Sequence, residues 1–452
     1  MNKRRHVPFF YGPAPATATV DWSARFLYNG DLVSEGDLAI GTGTYARASA
    51  VNYWDSSTTM ASAGVNTAVF EYLHPVTGDE EGWFRNDVAV TNSLANTDLT
   101  NGAWAFTNVG TRAQDATGPL GANTAFTIVD NNASTTELLE DTACPNDSNT
   151  HIFHMLWKKT STPSVFPEVR LSVTGGTFQI INAQLNTETG ATNTRSITGT
   201  GTQGVIDRGD WWQWWITIKN NSTGNTTARL KIYPVFSSTL GGAGNGALTG
   251  TQIVAQPQLQ LNSSYPLPFV ECAGSATSTV AATSYYPRWD QSTATAFKNI
   301  FDPTTNNAEG AAVASIVWPT TYNVGPSVYK AIIRGTDAEI SGTSPLNCGH
   351  KSKTFGIHDG TSASTPGSLT TYTAFSKAVA ATNWTTTGNQ MNAGAYYGGS
   401  WQWDATPAAF DGEILFTGNN FLIAPDNDAM YYVKDVYIYS SAKSTAYIEA
   451  NH

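Results

Sequence analysis

Residues 210–219 read Asp210-Trp211-Trp212-Gln213-Trp214-Trp215-Ile216-Thr217-Ile218-Lys219. In a β-strand, successive side chains point to opposite faces of the sheet. One face of this strand would therefore carry an uninterrupted apolar row, formed by Trp212, Trp214, Ile216 and Ile218. The other face would carry Trp211, Gln213, Trp215, Thr217 and Lys219. This alternation predicts a strand whose first face lies in a hydrophobic core.

The second face of this strand needs a cover or a ligand. Trp211 and Trp215 share it, and two exposed indoles of roughly 200 Å² each would form an apolar patch near the upper limit for a monomer. A sugar ring stacked on indole, a neighbouring subunit and another sheet layer each satisfy that need. These three alternatives set the range of functions that the sequence allows.

The composition indicates an all-β protein. Of the 452 residues, 13% are charged and 12% are aromatic, and hydroxyl, amide and small residues fill most of the remainder, as is typical of strand-rich proteins. The formal net charge is −11, and the basic cluster Lys3-Arg4-Arg5 lies at the N-terminus. Because a phosphate-binding surface needs clustered Lys and Arg, nucleic acid is not expected as a partner.

Neither a signal peptide nor membrane insertion is expected. Pro8 and Pro13 interrupt any apolar segment behind the basic start, and no apolar run is long enough to span a bilayer. Cys144, Cys272 and Cys348 are odd in number and far apart, so neither a disulfide framework nor a zinc site is predicted. We expect reduced thiols and folding in a bacterial cytoplasm.

Two further segments alternate in the same way. Their apolar rows are Val169, Leu171 and Val173 in one segment and Ala228, Leu230 and Ile232 in the other. Their polar faces carry Arg170 in the first segment and Arg229, Lys231 and Tyr233 in the second. If these strands lie near the tryptophan strand, the four polar side chains join Trp211, Gln213 and Trp215 in one shallow surface.

That surface is the candidate carbohydrate-binding site. Flat aromatic rings stack on the apolar faces of pyranose rings, while amide and guanidinium groups hydrogen-bond to sugar hydroxyls. Tandem tryptophans on a strand are also typical of a core or a subunit interface, and this alternative stays open. The segment Trp401-Gln402-Trp403 presents the same choice near the C-terminus.

No catalytic residue, metal site or cofactor is predicted. On a strand His151 and His154 would face opposite sides, which argues against a metal pair. The acidic clusters Asp79-Glu80-Glu81 and Glu137/Glu140/Asp141 have neither the arrangement of opposed glycosidase carboxylates nor the spacing of a calcium loop. The sequence also contains no nucleophile elbow, phosphate loop or dinucleotide fingerprint.

Several stretches resemble modules of bacteriophage virion proteins. Between residues 44 and 104 they are Tyr45-Ala46-Arg47-Ala48-Ser49, Tyr53-Trp54-Asp55, Ala63-Gly64-Val65-Asn66, Pro75-Val76-Thr77-Gly78, Asn92-Ser93-Leu94 and Ala103-Trp104. This chain has Gly82-Trp83-Phe84-Arg85-Asn86 where that family has an apolar run ending in Glu. Residues 254–261 resemble the closing strand of phage carbohydrate-binding-like jelly rolls. Residues 210–213 match the upstream Gly-Trp-Tyr-Arg strand of those jelly rolls, with Gln in place of the Arg.

A second sandwich is indicated behind a connector rich in Ser, Thr and Ala. Residues 301–313 and 432–439 resemble the first and last strands of laminin-G or concanavalin A-like sandwiches. The predicted fold is all-β, with tandem antiparallel jelly-roll β-sandwiches of concanavalin A-like type and an extended N-terminal arm. The predicted divisions are an arm at 1–43, a phage-type pre-domain at 44–99, a carbohydrate-binding-like jelly roll at 100–272, a linker at 273–295 and a laminin-G/concanavalin A-like jelly roll at 296–452.

The resemblance implies a structural protein of a bacteriophage virion, such as a tail fibre, spike, head fibre or capsid decoration subunit. It implies attachment to capsid or tail proteins through the N-terminal arm, and contact of the sandwiches with host-surface glycans or virion proteins. It also implies a homo-oligomer, expected to be a trimer, that is made in the host cytoplasm, resides on the virion and is not an enzyme. A polysaccharide depolymerase tailspike and a secreted bacterial lectin are the alternatives.

Overall fold

The structure is a computed structural model built almost entirely of antiparallel strands. It describes residues 50–56, 58–64, 69–73, 80–86, 90–108, 110–161, 164–272, 309–317, 377–385, 388–409, 431–439 and 441–452, with short strands at 24–26, 31–34, 39–42, 278–280, 288–290, 330–334, 347–351, 354–358, 363–364 and 420–423. The statements below concern these residues.

The elements are numbered in chain order. The first strands are β1 (Ala24–Phe26), β2 (Asp31–Ser34), β3 (Ala39–Thr42), β4 (Val51–Trp54), β5 (Met60–Ala63), β6 (Phe70–Leu73), β7 (Glu80–Asn86) and β8 (Val90–Asn92). The central strands are β9 (Ala105–Thr107), β10 (Thr111–Gly118), β11 (Gly121–Asp130), β12 (Glu137–Ala143), β13 (Thr150–Lys158), β14 (Phe166–Thr174), β15 (Gln179–Leu185), β16 (Thr192–Thr198), β17 (Gln203–Arg208), β18 (Trp211–Lys219), β19 (Thr227–Ser237) and β20 (Gly250–Gln260). The remaining elements are β21 (Ser278–Val280), β22 (Arg288–Asp290), β23 (Gly310–Val317), β24 (Lys330–Arg334), β25 (Asn347–Lys351), β26 (Thr354–His358), β27 (Ala363–Ser364), β28 (Lys377–Thr385), β29 (Gln390–Tyr397), β30 (Ser400–Trp403), β31 (Ala408–Ala409), β32 (Asn420–Ile423), β33 (Tyr431–Tyr439) and helix α1 (Thr445–Asn451).

The central strands form a sandwich of two six-stranded antiparallel sheets. Sheet I has the order β10-β11-β20-β13-β18-β17, and sheet II has the order β16-β15-β14-β19-β12-β9. The inward rows of both sheets meet in one hydrophobic core, as expected when each sheet is apolar on one face only. The predicted all-β sandwich fold is therefore confirmed.

The tryptophan strand contributes to this core as its alternation predicts. Trp214, Ile216 and Ile218 of β18 are buried in the core, and Trp212 packs against it from a half-buried position. Trp214 meets Trp157 of β13 edge to face, with ring centroids 5.7 Å apart. This is one of the ring arrangements that aromatic side chains prefer.

The C-terminal strands form two more sheets. Sheet III runs in the order β3-β2-β1-β33-β23-β28-β29-β30, with β31 paired to β29, and β6 and β7 added at β33. Sheet IV runs β22-β32-β24-β25-β26-β27. The two sheets meet where β26 and β27 lie against β29. Helix α1 packs on sheet III through Ile448, which joins a cluster with Val313 and Tyr439.

Part of the predicted N-terminal arm belongs to sheet III. The described residues of the arm form β1, β2 and β3, and β1 pairs with β33 in the register Arg25↔Tyr437. Sheet III therefore combines strands from both ends of the chain, a pairing that local periodicity cannot reveal. Residues 1–23 lie outside the described residues, so the attachment role of the arm stays a prediction.

Among the described residues, the structure contains no helix with the length and apolarity needed to cross a membrane.

Candidate functional site

The outward face of sheet I is covered where it carries Trp211. This covered face includes Trp211, Gln213 and Trp215 of β18. Trp211 is only 2% exposed and lies in a hydrophobic cluster with Trp54 and Leu156, while Met60 packs against that cluster. Trp54 and Met60 belong to the hairpin of β4 and β5. Of the three alternatives for this face, another β layer is the one that the structure shows at Trp211.

Gln213 lines a small polar cavity beneath the same hairpin. The cavity measures about 40 Å³ and is bounded by Trp54, His154, Arg208 and Gln213, with a segment at 266–269 along one side. This volume holds a few water molecules rather than a saccharide. Arg208 Nε donates to Gln213 Oε1 at 3.0 Å, so the amide is engaged inside the protein.

His154 of this cavity is held neutral by its surroundings. Its side chain is buried, and loss of hydration lowers its pKa to about 3, with the nearby Arg208 guanidinium lowering it further. His151 lies on the opposite face of β13, as the two-residue period requires. Within the described ranges, no group of three or more His, Cys, Asp and Glu side chains is arranged to hold a metal ion.

Trp215 is half-buried near the edge of sheet I. Its ring lies against Gly204 of β17, because a Cβ added to that glycine would come within 2.4 Å of ring atom Cζ2. The absence of a side chain at this position therefore lets the indole lie close to the sheet. Its remaining exposed surface is small compared with the two-indole patch that the sequence suggested.

The outward face of sheet II carries the other four predicted residues. Arg170 comes from β14, and Arg229, Lys231 and Tyr233 come from the neighbouring strand β19. Their inward neighbours on both strands are buried in the core, so these four side chains point away from it. We call this surface the open face, because the Arg229 side chain is 43% exposed and that of its partner Asp141 is 36% exposed.

The structure does not bring the seven predicted residues together. Trp211, Gln213 and Trp215 lie on one outer side of the sandwich, and the four residues of the open face lie on the other. Both rows point away from the same core, so the expectation of a single joined surface is wrong. Alternation assigns a residue to the inward or outward side, but it cannot say which of two sheets a strand enters.

Ion pairs cross the open face between β12 and β19. Arg229 Nε and Nη2 donate to the two carboxylate oxygens of Asp141, both at 2.7 Å. Lys231 Nζ lies 3.0 Å from Glu137 Oε1, and the Tyr233 hydroxyl donates to Glu137 Oε2 at 2.7 Å. Burial and this hydrogen bond raise the pKa of Tyr233 above its usual value. These contacts fix the directions of the side chains, while exposed pairs of this kind add little stability.

Glu168 of β14 organises the other side of the open face. Its carboxylate is fully buried and accepts from Arg170 Nε at 2.5 Å and from Arg195 Nε at 2.6 Å. Arg195 Nη2 and Gln184 Nε2 donate to it as well. The guanidinium of Arg170 lies 4.3 Å from the ring centroid of Tyr233, a cation–π distance. Tyr233 is 5% exposed, so Arg170 rather than the phenol ring meets solvent here.

Sequence reasoning missed Glu168 and Arg195. Arg195 lies where the register between β15 and β16 shifts, since Asn182 pairs with Ser196 but Ala183 pairs with Thr194. A bulge of this kind adds one residue to a strand and redirects its side chain. An acidic residue two positions before Arg170 was the available signal, because Glu168 and Arg170 share one face of β14.

The similarity of this chain to known proteins is remote. No family model and no curated protein matches it. Solved structures similar to it include the extracellular region of zebrafish Gpr126/Adgrg6, with a TM-score of 0.21, 9% identity and coverage of 73% of this chain and 37% of that one. Carbohydrate-binding modules of the β-sandwich superfamily give a TM-score of 0.24, 11% identity and coverage of 50% and 88%. The tail fibre protein gp63.1 of an E. coli phage gives 0.19, 9%, 82% and 42%.

This chain thus spans little more than a third of the zebrafish protein. Since every one of these TM-scores is below 0.5, the fold and the site rest on this chain's own geometry. The class that this geometry defines is an antiparallel β-sandwich protein with one partly covered and one open outer face.

Proposed function

We propose that this protein is a non-catalytic structural subunit of a bacteriophage virion, whose open face binds glycans of the host surface. The observation that carries the glycan part is the fixed array of polar side chains on the open face. Arg170, Arg195 and Arg229 are each held by a carboxylate at 2.5–2.7 Å. Preorganised donors of this kind bind sugar hydroxyls without first losing side-chain freedom.

The covered face is the less suitable binding surface. Trp211 is buried under the β4–β5 hairpin, and Gln213 is engaged with Arg208. Stacking of a sugar on Trp211 would require the hairpin to leave, which would expose the apolar cluster around Trp54. The proposed binding residues are therefore Arg170, Arg229 and Lys231 with their neighbours, rather than the tryptophans.

A binding role fits the carboxylates of the open face better than catalysis. A glycosidase needs one carboxyl group that donates a proton and a second that acts as base or nucleophile. Glu137, Asp141 and Glu168 are each hydrogen-bonded to cationic side chains, and Glu168 is completely buried. None of the three is positioned to deliver a proton to a bound sugar.

The virion part of the proposal rests on the sequence resemblance at residues 44–104 and 254–261. The arm upstream of β1 would contact capsid or tail proteins, and the subunit would assemble as a homotrimer. Quantitative mass spectrometry of purified phage particles tests this part, with detection of the chain at a fixed ratio to the major capsid protein as the expected result. A chain that occurs only in the culture supernatant would support the secreted-lectin alternative instead.

A glycan array with the purified full chain tests the binding part. We expect retention of host-surface polysaccharide or its fragments, with no new reducing ends after incubation. Signal that falls with Lys231→Ala and Arg229→Ala, in protein that stays folded, supports the open face. New reducing ends would contradict the non-catalytic assignment and favour a depolymerase.

A further inference from the structure

We propose that Arg170, Arg195 and Asn182 form a subsite for the carboxylate of an acidic sugar, such as a uronic or sialic acid residue of a surface polysaccharide. This inference rests on the proposed function, because it assigns a ligand chemistry to the same open face. It adds two residues, Arg195 and Asn182, that neither the alternation nor the resemblance singles out.

The first argument is the direction of the two guanidinium groups. Arg170 uses Nε for Glu168, and both of its Nη atoms have no acceptor among the described residues. Arg195 uses Nε and Nη2, which leaves Nη1 without an acceptor in the same set of residues. Because Glu168 holds both groups by their inner edges, the remaining donors are available to a ligand. Paired N–H donors of a planar guanidinium match a carboxylate in geometry and charge.

The second argument is charge. Glu168 supplies one negative charge to two arginines, so the Arg170–Glu168–Arg195 group retains a positive charge. The neighbouring pairs Arg229–Asp141 and Lys231–Glu137 are balanced. A local positive excess on a chain with a formal net charge of −11 favours an anionic ligand at this point of the face.

The third argument is rigidity. The guanidinium of Arg170 stacks on Tyr233 and lies 5.1 Å from the ring centroid of Phe236, and that of Arg195 lies 5.2 Å from the same Phe236 ring. Each arginine is therefore fixed by a carboxylate at one edge and by an aromatic ring near its plane. Arginines held this way lose little conformational entropy when a ligand binds.

The fourth argument is an unused acceptor beside the arginines. Asn182 of β15 is the cross-strand partner of Arg170 and is 8% exposed. Its Nδ2 donates to Ser196 Oγ, whereas its Oδ1 has no hydrogen-bond partner among the described residues. A buried acceptor without a partner is costly. A hydroxyl of the acidic sugar would satisfy this oxygen while the carboxylate binds the arginines.

The experiment is a glycan array in which each uronate- or sialate-containing oligosaccharide is paired with its carboxyl-reduced form. Wild-type full-length protein is expected to retain the acidic member about tenfold more strongly than the reduced member, the effect of one charge-assisted bidentate contact. Raising the salt concentration from about 0.1 M to about 1 M should reduce that preference, since it depends on charge.

The decisive variant is Arg170→Lys, which keeps the positive charge near Glu168 but removes the planar pair of donors. We expect it to lose the preference for the acidic member of each pair. Asn182→Asp, which places a negative charge beside the arginines, should lose it as well. The matched control is Arg229→Lys on the same face, which should keep the preference because the Arg229 fork is already occupied by Asp141.

Two results would overturn the inference in distinguishable ways. Equal retention of acidic and carboxyl-reduced glycans by wild-type protein would remove the acidic-sugar subsite and leave glycan binding at the open face intact. Retention of no glycan at all would overturn both. Circular dichroism and thermal unfolding of each variant separate a lost contact from a lost fold.

Discussion

Trp54 and Trp211 are buried in the same hydrophobic cluster, although one belongs to the N-terminal hairpin and the other to the central sandwich. This contact converts part of the outer side of sheet I into an interior. It also divides the roles of the two outer faces, since the opposite side of the sandwich carries the exposed polar array.

The first prediction concerns Trp211. Trp211→Ala should lower the free energy of unfolding by about 3–5 kcal/mol, because it leaves a large cavity under the hairpin. Trp215→Ala on the same face should have a smaller effect, since that indole is only half-buried. Chemical denaturation of both variants measures the difference. A Trp211→Ala protein that unfolds like wild type but loses glycan binding would show that this indole is a ligand contact.

The second prediction concerns Glu140 on the inward side of β12. Burial, opposed in part by a hydrogen bond from the Ala95 amide, raises its pKa from 4.5 to about 7. The folded protein then holds a proton that the unfolded chain releases, so this group favours folding below pH 4.5 and that contribution is lost as the pH rises through 7.

Glu140→Gln keeps the acceptor for Ala95 and removes the charge. It should raise the free energy of unfolding at pH 8 by about 3 kcal/mol relative to wild type and leave it nearly unchanged at pH 4. Asp141→Asn, on the outward side of the same strand, is the control and should show no such gain. An identical pH dependence in Glu140→Gln and wild type would contradict the assignment.

The third prediction concerns His154 in the polar cavity. Its pKa in the folded protein is about 3, below the usual 6.5, so the unfolded chain takes up a proton that the folded protein does not. The stabilising contribution is present above pH 6.5 and is lost as the pH falls toward 3. The His154 imidazole resonances should stay those of the neutral ring from pH 8 to pH 5 in an NMR titration. A midpoint near 6.5 would contradict burial of this side chain.

The fourth prediction concerns close packing in sheet III. A Cβ at Gly310 would lie 2.4 Å from a ring atom of the buried Trp384 and 2.8 Å from the backbone oxygen of Tyr439. Gly310→Ala should therefore destabilise the protein by about 1–3 kcal/mol. Gly102→Ala is the matched control, because a Cβ there meets nothing within 4 Å. Equal thermal stability of the two variants would argue against the packing of β23 between β28 and β33.

The sequence predicts the core of the sandwich well because alternation is a local property. The inward positions of β14, β18 and β19 follow from the order of apolar and polar residues alone. The cover over Trp211 does not follow from it, since it is supplied by a hairpin at residues 51–63 that is distant in the chain. A long-range contact of this kind leaves no local period to detect.

The candidate site was predictable only in part for a similar reason. Arg170 and Arg229 can be placed on outward rows from the sequence, but their shared sheet and the role of Arg195 depend on strand order and on the bulge in β16. A one-residue shift reverses the face on which a side chain lies. Alternation over residues 192–198 therefore could not place Arg195 beside Glu168.

The most direct test of the division between the two faces is to locate a bound glycan on the intact chain. A photoreactive derivative of the best array ligand is cross-linked to the full-length protein, and the modified peptides are identified by mass spectrometry. Modification is expected in β12, β14, β15 and β19. Modification concentrated in β18 and in the β4–β5 hairpin would show that the tryptophan side, and not the open face, binds the host glycan.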